Sequence, residues 1–353
     1  MQNTYQQDRL QRIAEAFIAD AIVAIVPHGE GHIHNTFKVS TQAADEAYIL
    51  QRINTNVFGN LQAIMQNIQT LNTHLLTKKE YPYEHLTPLQ TMHGGDTLFV
   101  ETVKGNPHYW RVFPFVKNCV SLADISISPD IAYQTAMGFG TFVAALADLS
   151  VQRLHTTIPN FHNPQFRWQQ LQQACHKDSA KRLRSVQAEL RIMATYYSII
   201  QNYTPDSLLT VTHNDAKVSN ILFDKQALQP RCIIDLDTVM AGEWLFDFGD
   251  MVRTTAATAA EDESDTSKVS VNVRIYQSLL AGYCDALKEL LTPYYKQRLG
   301  LGAQLVTFTQ AIRFLTDYLC GDTYYHTKYE QHNLIRTRNQ LQLLRSIQEL
   351  LPV

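Results

Sequence analysis

Cysteine is scarce and without pattern in this 353-residue sequence. The five cysteines are odd in number, widely spaced and never arranged as CxxC. This distribution argues against a disulfide framework and against a structural zinc site. We therefore expect a reducing compartment, the cytoplasm.

Long apolar runs and an excess of one charge are also missing. The stretch AFIADAIVAIV, residues 16–26, is interrupted by Asp20, follows no basic segment and is far shorter than a membrane span. With 18% charged residues and a net charge of -3, the chain has no basic field for nucleic acid or an anionic membrane. A small or nucleotide-sized partner fits better, and the oligomeric state is left open.

The hydrophobic pattern changes near residue 116, and the chain is long enough for two domains. Before it, apolar runs and turns predict a five-stranded antiparallel sheet with one amphipathic helix near residues 58–76. After it, helices are predicted at 129–148, 164–200, 272–290, 294–319 and 330–350, with strands at 221–223 and 231–236. We predict an α+β chain with an N-terminal lobe, 1–116, and a mainly helical C-terminal lobe, 117–353. The small, acidic stretch 254–268 is either a surface loop or a flap beside the site.

One stretch, THNDAKVSNILFD at residues 212–224, places polar side chains on a loop before a short buried strand. A hairpin with RCIIDL, residues 231–236, would bring Asp235 close to Asp215 and Asn220. Because oxygen ligands without histidine or cysteine suit Mg²⁺, we assign Asn220 and Asp235 to the metal. Asp215 is then free to accept a proton, while Lys217 offsets charge on a transferred phosphoryl group.

The spacing from Asp215 to Asn220 is that of the protein-kinase catalytic loop. HNDAKVSNILFD with IIDLDTVMAGEWLFDFGD resembles the catalytic segment of the aminoglycoside phosphotransferase and choline kinase group, which shares the protein-kinase fold. With GHIHNTF, YILQRINTNVF and RFLTDYLCGDTYY added, the sequence resembles the N-acetylhexosamine 1-kinases from residue 29 to about 345. The resemblance implies a two-lobed, kinase-like fold and phosphorylation of the anomeric hydroxyl of an N-acetylhexosamine, with ATP and Mg²⁺.

The resemblance gives the catalytic loop the same roles and adds residues around it. His213 and Asp247 would brace the loop, and Arg313 and Tyr324 would contact the sugar. Trp244, just downstream of the magnesium segment, is placed where its ring could wall a sugar pocket.

The nucleotide side departs from the kinase pattern. The turn PHGEGHIHNTF contains Gly29 and Gly31 but no third glycine, and we expect it to contact substrate or phosphate through its backbone and His32. YILQRIN lacks the strand-three lysine of kinases, and the following helix has no acid to pair with it. Either Gln51 or Arg52 takes its place, and only one can reach the phosphate because strand neighbours point to opposite faces.

We favour Gln51, with Asn67 of the following helix as its amide partner. Phe115 lies in FPFV, residues 113–116, which is either the connector that meets adenine or an edge strand broken by Pro114. Asp237 shares a strand face with Asp235 and could touch a second metal or the sugar, or cap the next turn.

Two other functions stay open. A kinase of the same group could act on an amino alcohol, an aminoglycoside or homoserine, which would need an acidic pocket. A non-catalytic nucleotide-binding protein would explain the missing lysine and glutamate, but it has no need of Asp215, Asn220 and Asp235 together.

Overall fold

The protein is described by a computed structural model over residues 2–29, 34–43, 46–122, 127–206 and 209–351. Its N-terminal lobe contains helix α1 (Gln2–Glu15), an antiparallel sheet and helix α2 (Leu61–Leu75). The five strands have the spatial order β1-β2-β3-β5-β4, which confirms the predicted five-stranded sheet. They are β1 (Ile22–Pro27), β2 (Asn35–Thr41), β3 (Ala47–Arg52), β4 (Phe99–Val103) and β5 (Asn106–Pro114).

The two faces of this sheet have different neighbours. Leu50 on β3 and Val112 on β5 pack in one cluster with Leu10 and Ile13 of α1. Because successive strand residues alternate between faces, their neighbours Gln51 and Arg111 point the other way. The face opposite α1 is therefore the one that carries polar side chains toward the rest of the chain.

Helix α2 begins where the Asn60 side chain accepts a hydrogen bond from the backbone N–H of Ala63, at 3.1 Å. The apolar face of α2 does not join the cluster that α1 forms with Leu50 and Val112. Ile64 and Ile68 instead join the large core that includes Phe139 and Phe142 of the second lobe. The main core thus runs across residue 116, and the division of the chain at that residue stays a prediction.

The C-terminal lobe is mainly helical, as predicted. Its helices are α3 (Pro129–Ala145), α4 (Pro164–Lys177), α5 (Gln187–Gln201), α6 (Trp244–Thr255), α7 (Val273–Leu287), α8 (Pro293–Cys320) and α9 (His332–Leu350). Its short strands are β6 (Cys119–Ser121), β7 (Thr210–Thr212), β8 (Ile221–Asp224), β9 (Pro230–Ile233) and β10 (Met240–Gly242). Strands β8 and β9 form the expected hairpin, β6 pairs with β8, and β7 pairs with β10.

Two helix predictions were wrong for identifiable reasons. The segment predicted as one helix at 164–200 is interrupted because Asp178 adopts a left-handed conformation and caps α4. Helix α6 was not predicted. It is buried on nearly all sides, and even Asp247 and Asp250, which recur at helical spacing in its sequence WLFDFGDMVRTT, are buried. Gly249 of α6 lies against α8, where a Cβ would come within 2.3 Å of the Gly302 carbonyl oxygen.

Residues 254 and 255 end α6, and the rest of the segment 254–268 is attached to α9 and to the loop before it. Asp262 is within 3.3 Å of both Lys328 and His332, and Asn339 donates to the carbonyl of Ala260 at 2.9 Å. The docked loop agrees with the surface-loop reading of this segment. Among the helices of the described ranges, none combines the length and hydropathy needed to cross a membrane.

Candidate active site

The catalytic loop is fixed by a carboxylate from α6. Asp247 accepts the backbone N–H of His213 at 2.8 Å and that of Asn214 at 2.6 Å. The buried His213 ring lies edge-to-face on Phe139 and reaches the carbonyl of Ile234. Burial raises the pKa of Asp247 to about 6, against the opposing effect of His213 and the two backbone donors. This geometry agrees with the bracing role that we expect for His213 and Asp247.

Asp215 lies in this loop, and hydrogen bonds hold only one of its two carboxylate oxygens. Its Oδ2 accepts from Lys217 at 2.8 Å and from the Asn220 amide at 2.9 Å. Within the described part of the chain, Oδ1 accepts no hydrogen bond. Burial alone would raise the pKa of Asp215, but the charge and hydrogen bond of Lys217 outweigh it and lower the pKa to about 2. Asp215 is therefore an ionised carboxylate with one oxygen open to a donor.

The residues predicted to bind metal lie beside this carboxylate. Asn220 uses its amide nitrogen on Asp215, which leaves its carbonyl oxygen for a cation. Asp235 follows β9 in a left-handed conformation, with φ of 61°. Burial raises the pKa of Asp235, and the neighbouring charges of Asp215 and Asp237 add to that effect although Lys217 opposes it. A crowded acid with oxygen-donor neighbours fits a divalent cation such as Mg²⁺.

Asp237 is engaged by an arginine that the sequence analysis missed. Arg111 of β5 contacts Asp237 through two nitrogens, at 2.6 and 3.0 Å. Both side chains are buried, at 2% and 1% exposure. Burial would raise the pKa of Asp237, but Arg111 and His34 hold it below its ordinary value. The roles expected for Asp237 did not include this contact, and the geometry fits an internal counter-charge for Arg111 better than a second metal ligand.

His34 completes this network. It lies with Asp235 and Asp237 in a group whose candidate ligand atoms are within 4.8 Å of one another. Its Nδ1 accepts from the backbone N–H of Asn54 at 3.2 Å, so Nε2 carries the proton and donates to Asp237 at 2.9 Å. With both ring nitrogens in use, His34 is a hydrogen-bond donor to Asp237 rather than a metal ligand.

The strand-three position is occupied by Gln51, whose partner differs from the one we predicted. Gln51 Oε1 accepts from Arg111 at 3.1 and 3.0 Å, and its Nε2 donates to Thr36. Asn67 bonds instead to backbone groups of the second lobe, at His155 and Val239. Asn67 is not the partner of Gln51 because the α2 face that bears Asn67 packs into the main core.

Arg52 lies on the opposite face of the sheet. Two of its nitrogens donate to Asn35 Oδ1, at 3.0 and 2.6 Å, and a third lies 3.5 Å from His108. His108 also contacts Arg9 of α1. The structure thus brings Gln51, and not Arg52, to the same side as Asp237.

The predicted nucleotide contacts are described only in part. Gly29 has a positive φ of 73°, as a tight turn requires, whereas Gly31 and His32 lie outside the described residues. Phe115 follows β5, donates its N–H to Ala47 and packs against the ring of His28. Lys38 of β2 places its Nζ 4.2 Å from the Phe115 ring, so a lysine overlooked in the sequence lies beside the predicted adenine connector.

The residues predicted to contact sugar lie in a separate pocket of ≈ 190 Å³ between α4, α8 and the loop after α8. Arg313 and Tyr324 line it together with Arg167. The guanidinium of Arg313 lies 5.4 Å from the Phe161 ring and 5.7 Å from the Tyr324 ring. Trp244, by contrast, is packed in the main core, so the prediction that it walls the sugar pocket was wrong.

This pocket is connected to the catalytic loop through two residues. Phe161 stacks under Arg313, and the next residue, His162, contacts the carbonyl of Asn214 at 2.9 Å. Burial lowers the pKa of His162 to about 4, so the ring is neutral and donates that hydrogen bond. Phe161 and His162 therefore link the lining of this pocket to the loop that carries Asp215.

Residues 24–289 match the model of the phosphotransferase enzyme family (APH). Because the match covers most of the chain, this protein belongs to that family and is a small-molecule phosphotransferase.

Solved structures of similar fold agree over almost the whole chain. A spectinomycin phosphotransferase, solved with ADP and spectinomycin, matches with a TM-score of 0.63 and 11% identity, covering 97% of this chain and 98% of that one. An amicoumacin kinase, solved with AMP-PNP, Ca²⁺ and its substrate, matches at 0.60 and 11%, covering 95% and 92%. A microcompartment-associated aminopropanol kinase matches at 0.58 and 13%, covering 95% and 94%. The kinase-like fold predicted from the sequence is confirmed.

Proposed function

We propose that this phosphotransferase transfers the γ-phosphoryl group of ATP to the anomeric C1 hydroxyl of an N-acetylhexosamine. The nucleotide and the divalent cation are supported by the neighbours in complex with ADP or with AMP-PNP and Ca²⁺. The acceptor class is supported by one observation, which is the pocket of arginines and tyrosines beside the catalytic loop.

That pocket argues against the cationic acceptors of the group. Spectinomycin and aminopropanol carry amines, and an ammonium group would face Arg167 and Arg313 here. Like charges at such close range repel each other. Arginine and tyrosine instead offer donors for the hydroxyl and amide oxygens of an N-acetylated sugar.

The chain's own residues divide the work of phosphoryl transfer. Asp215 accepts the proton of the attacking hydroxyl at its open Oδ1, while Lys217 and Asn220 hold Oδ2 and fix the orientation of the carboxylate. Asp235 and the amide oxygen of Asn220 would hold Mg²⁺. When bound, the ion neutralises charge on the phosphates. His213 keeps the loop in position through the core.

Phosphorus NMR tests this proposal directly. Purified protein with Mg-ATP should convert N-acetylglucosamine or N-acetylgalactosamine to a product with an anomeric phosphate doublet, and leave choline, homoserine and kanamycin unchanged. Transfer only to the amines would keep the kinase and reject the acceptor. Asp215→Asn should abolish turnover and preserve nucleotide binding, whereas the exposed Asp96→Asn should behave as wild type.

A further inference from the structure

Two arginines in the acceptor pocket stand without an acidic partner. Arg167 donates to Gln170 at 2.8 Å and to the carbonyl of Phe161 at 3.3 Å, and its Nε is buried without any hydrogen-bond partner. Arg313 donates to Gln310 at 3.1 Å and stacks on aromatic rings. In the described ranges neither guanidinium forms an ion pair, although both side chains are half-buried.

Among the described residues that line the pocket, the single acid is already in use. Asp317 accepts the backbone N–H groups of Thr323, Tyr324 and Tyr325 at 2.8–3.0 Å, and the Asn333 amide at 2.9 Å. Both of its oxygens therefore hold the loop after α8. Two arginines against this one aspartate leave an excess of positive charge in the pocket.

The arginines remain charged at neutral pH. Burial lowers the pKa of Arg167 to about 10, and the nearby charge of Arg313 adds to this effect. Burial opposes the charge on Arg313 as well, but the neighbouring tyrosines raise the pKa of that group overall. Two like charges thus face one small cavity, and an anion in that cavity would relieve their repulsion.

We propose that Arg167 and Arg313 form a subsite for an oxyanion carried by the sugar, so that the preferred acceptor is an N-acetylhexosamine bearing a carboxylate or a phosphate. Guanidinium groups bind both of these planar or tetrahedral anions through paired donors. The oxyanion would accept from the two guanidinium groups that line the cavity, and the C1 hydroxyl would lie toward Asp215. This inference rests on the proposed function.

The test compares acceptors that all contain the N-acetylglucosamine ring and differ in the acidic group that they carry. Values of kcat/KM are measured for N-acetylglucosamine, its 6-phosphate, its C6 carboxylic acid and its 3-O-carboxymethyl ether. At least one acidic sugar should exceed the neutral sugar by about tenfold or more, as expected for a hydrogen bond to a charged group. Arg167→Gln should reduce that preference by about tenfold and Arg167→Lys should restore part of it. Arg191→Gln, on the exposed side of α5, is the matched control.

Several results would overturn the subsite. The neutral sugar could be the best acceptor, Arg167→Gln could lower every kcat/KM equally, or that variant could raise KM for ATP alone. The phosphate and carboxylate arms show which oxyanion is used. If no sugar is phosphorylated, calorimetry with glucose 6-phosphate and glucose separates the two ideas. Tighter binding of the phosphate that is lost in Arg167→Gln would keep the subsite and reject the sugar-kinase proposal, whereas equal binding would reject the subsite as well.

Discussion

Removal of the buried Arg111 charge should strongly destabilise the protein. In Arg111→Met, the carboxylate of Asp237 keeps its charge at 1% exposure and loses contacts of 2.6 and 3.0 Å. Breaking a buried pair in this way costs about 3–5 kcal/mol. Because His34 still donates to Asp237, we expect a loss near 3 kcal/mol, at the lower end of that range. Asp237→Asn should be destabilising too, because it leaves the guanidinium unpaired.

The double variant Arg111→Met/Asp237→Asn separates pairing from packing. It contains neither buried charge, so its loss should be smaller than the two single losses together by about 2 kcal/mol. The free energy of unfolding is measured in urea by tryptophan fluorescence and by near-ultraviolet circular dichroism, whose coincidence supports two-state analysis. Arg52→Met, whose side chain bonds only to neutral partners, is the control and should lose about 1 kcal/mol. Single losses that simply add would refute the argument.

Three further predictions concern the site and its support. Lys217 keeps the pKa of Asp215 at about 2. The wild-type carboxylate is therefore ionised above that pH and becomes protonated only as the pH falls through it. In Lys217→Met, the largest effect opposing burial is removed while those of His213 and the Asn220 amide remain, so that pKa rises and the acid limb of kcat/KM should move to higher pH. Matching profiles between pH 4 and 8 would contradict this. Gln51→Ala should weaken ATP binding measured by calorimetry while Arg52→Ala leaves it unchanged, because only Gln51 faces the Asp237 network. The reverse order would reject the amide network. Gly249→Ala should lower the melting temperature, since its Cβ would meet a carbonyl oxygen of α8 at 2.3 Å. Gly300→Ala on α8, whose Cβ would meet side-chain atoms no nearer than 3.2 Å, is the control. An unchanged melt would show that the two helices can separate.

Local signals in the sequence were sufficient for the sheet and for the catalytic loop. The alternation of apolar and polar residues along a strand can be recognised without knowing which strand it pairs with. Asp215, Asn220 and Asp235 lie within one short hairpin unit. Helix α6 shows the limit of that method. Its polar side chains at helical spacing, Asp247 and Asp250, are buried together with its apolar ones, so the usual division between a solvent face and a core face does not hold there.

Arg111 and Arg167 could not have been found by the same means. The contact of Arg111 with Asp237 joins residues 126 positions apart, and nothing near WRVF in the sequence distinguishes a buried arginine from a surface one. Lys38 was not predicted either, because its proximity to Phe115 depends on where β2 lies in the sheet. The contacts of Arg111 and Lys38 depend on which strands and which lobes lie side by side, and the sequence does not reveal those neighbours.

Asn67 attaches helix α2 to the second lobe by hydrogen bonds of 2.8, 3.1 and 2.8 Å to backbone groups of His155 and Val239. A control mechanism that swings this helix outward would have to break all three bonds and open the main core. Movement of α2 is therefore not expected to switch the enzyme on and off. The rate of the reaction would then follow the supply of acceptor and nucleotide, and any adjustment of the N-terminal lobe on binding would fall to its β-sheet.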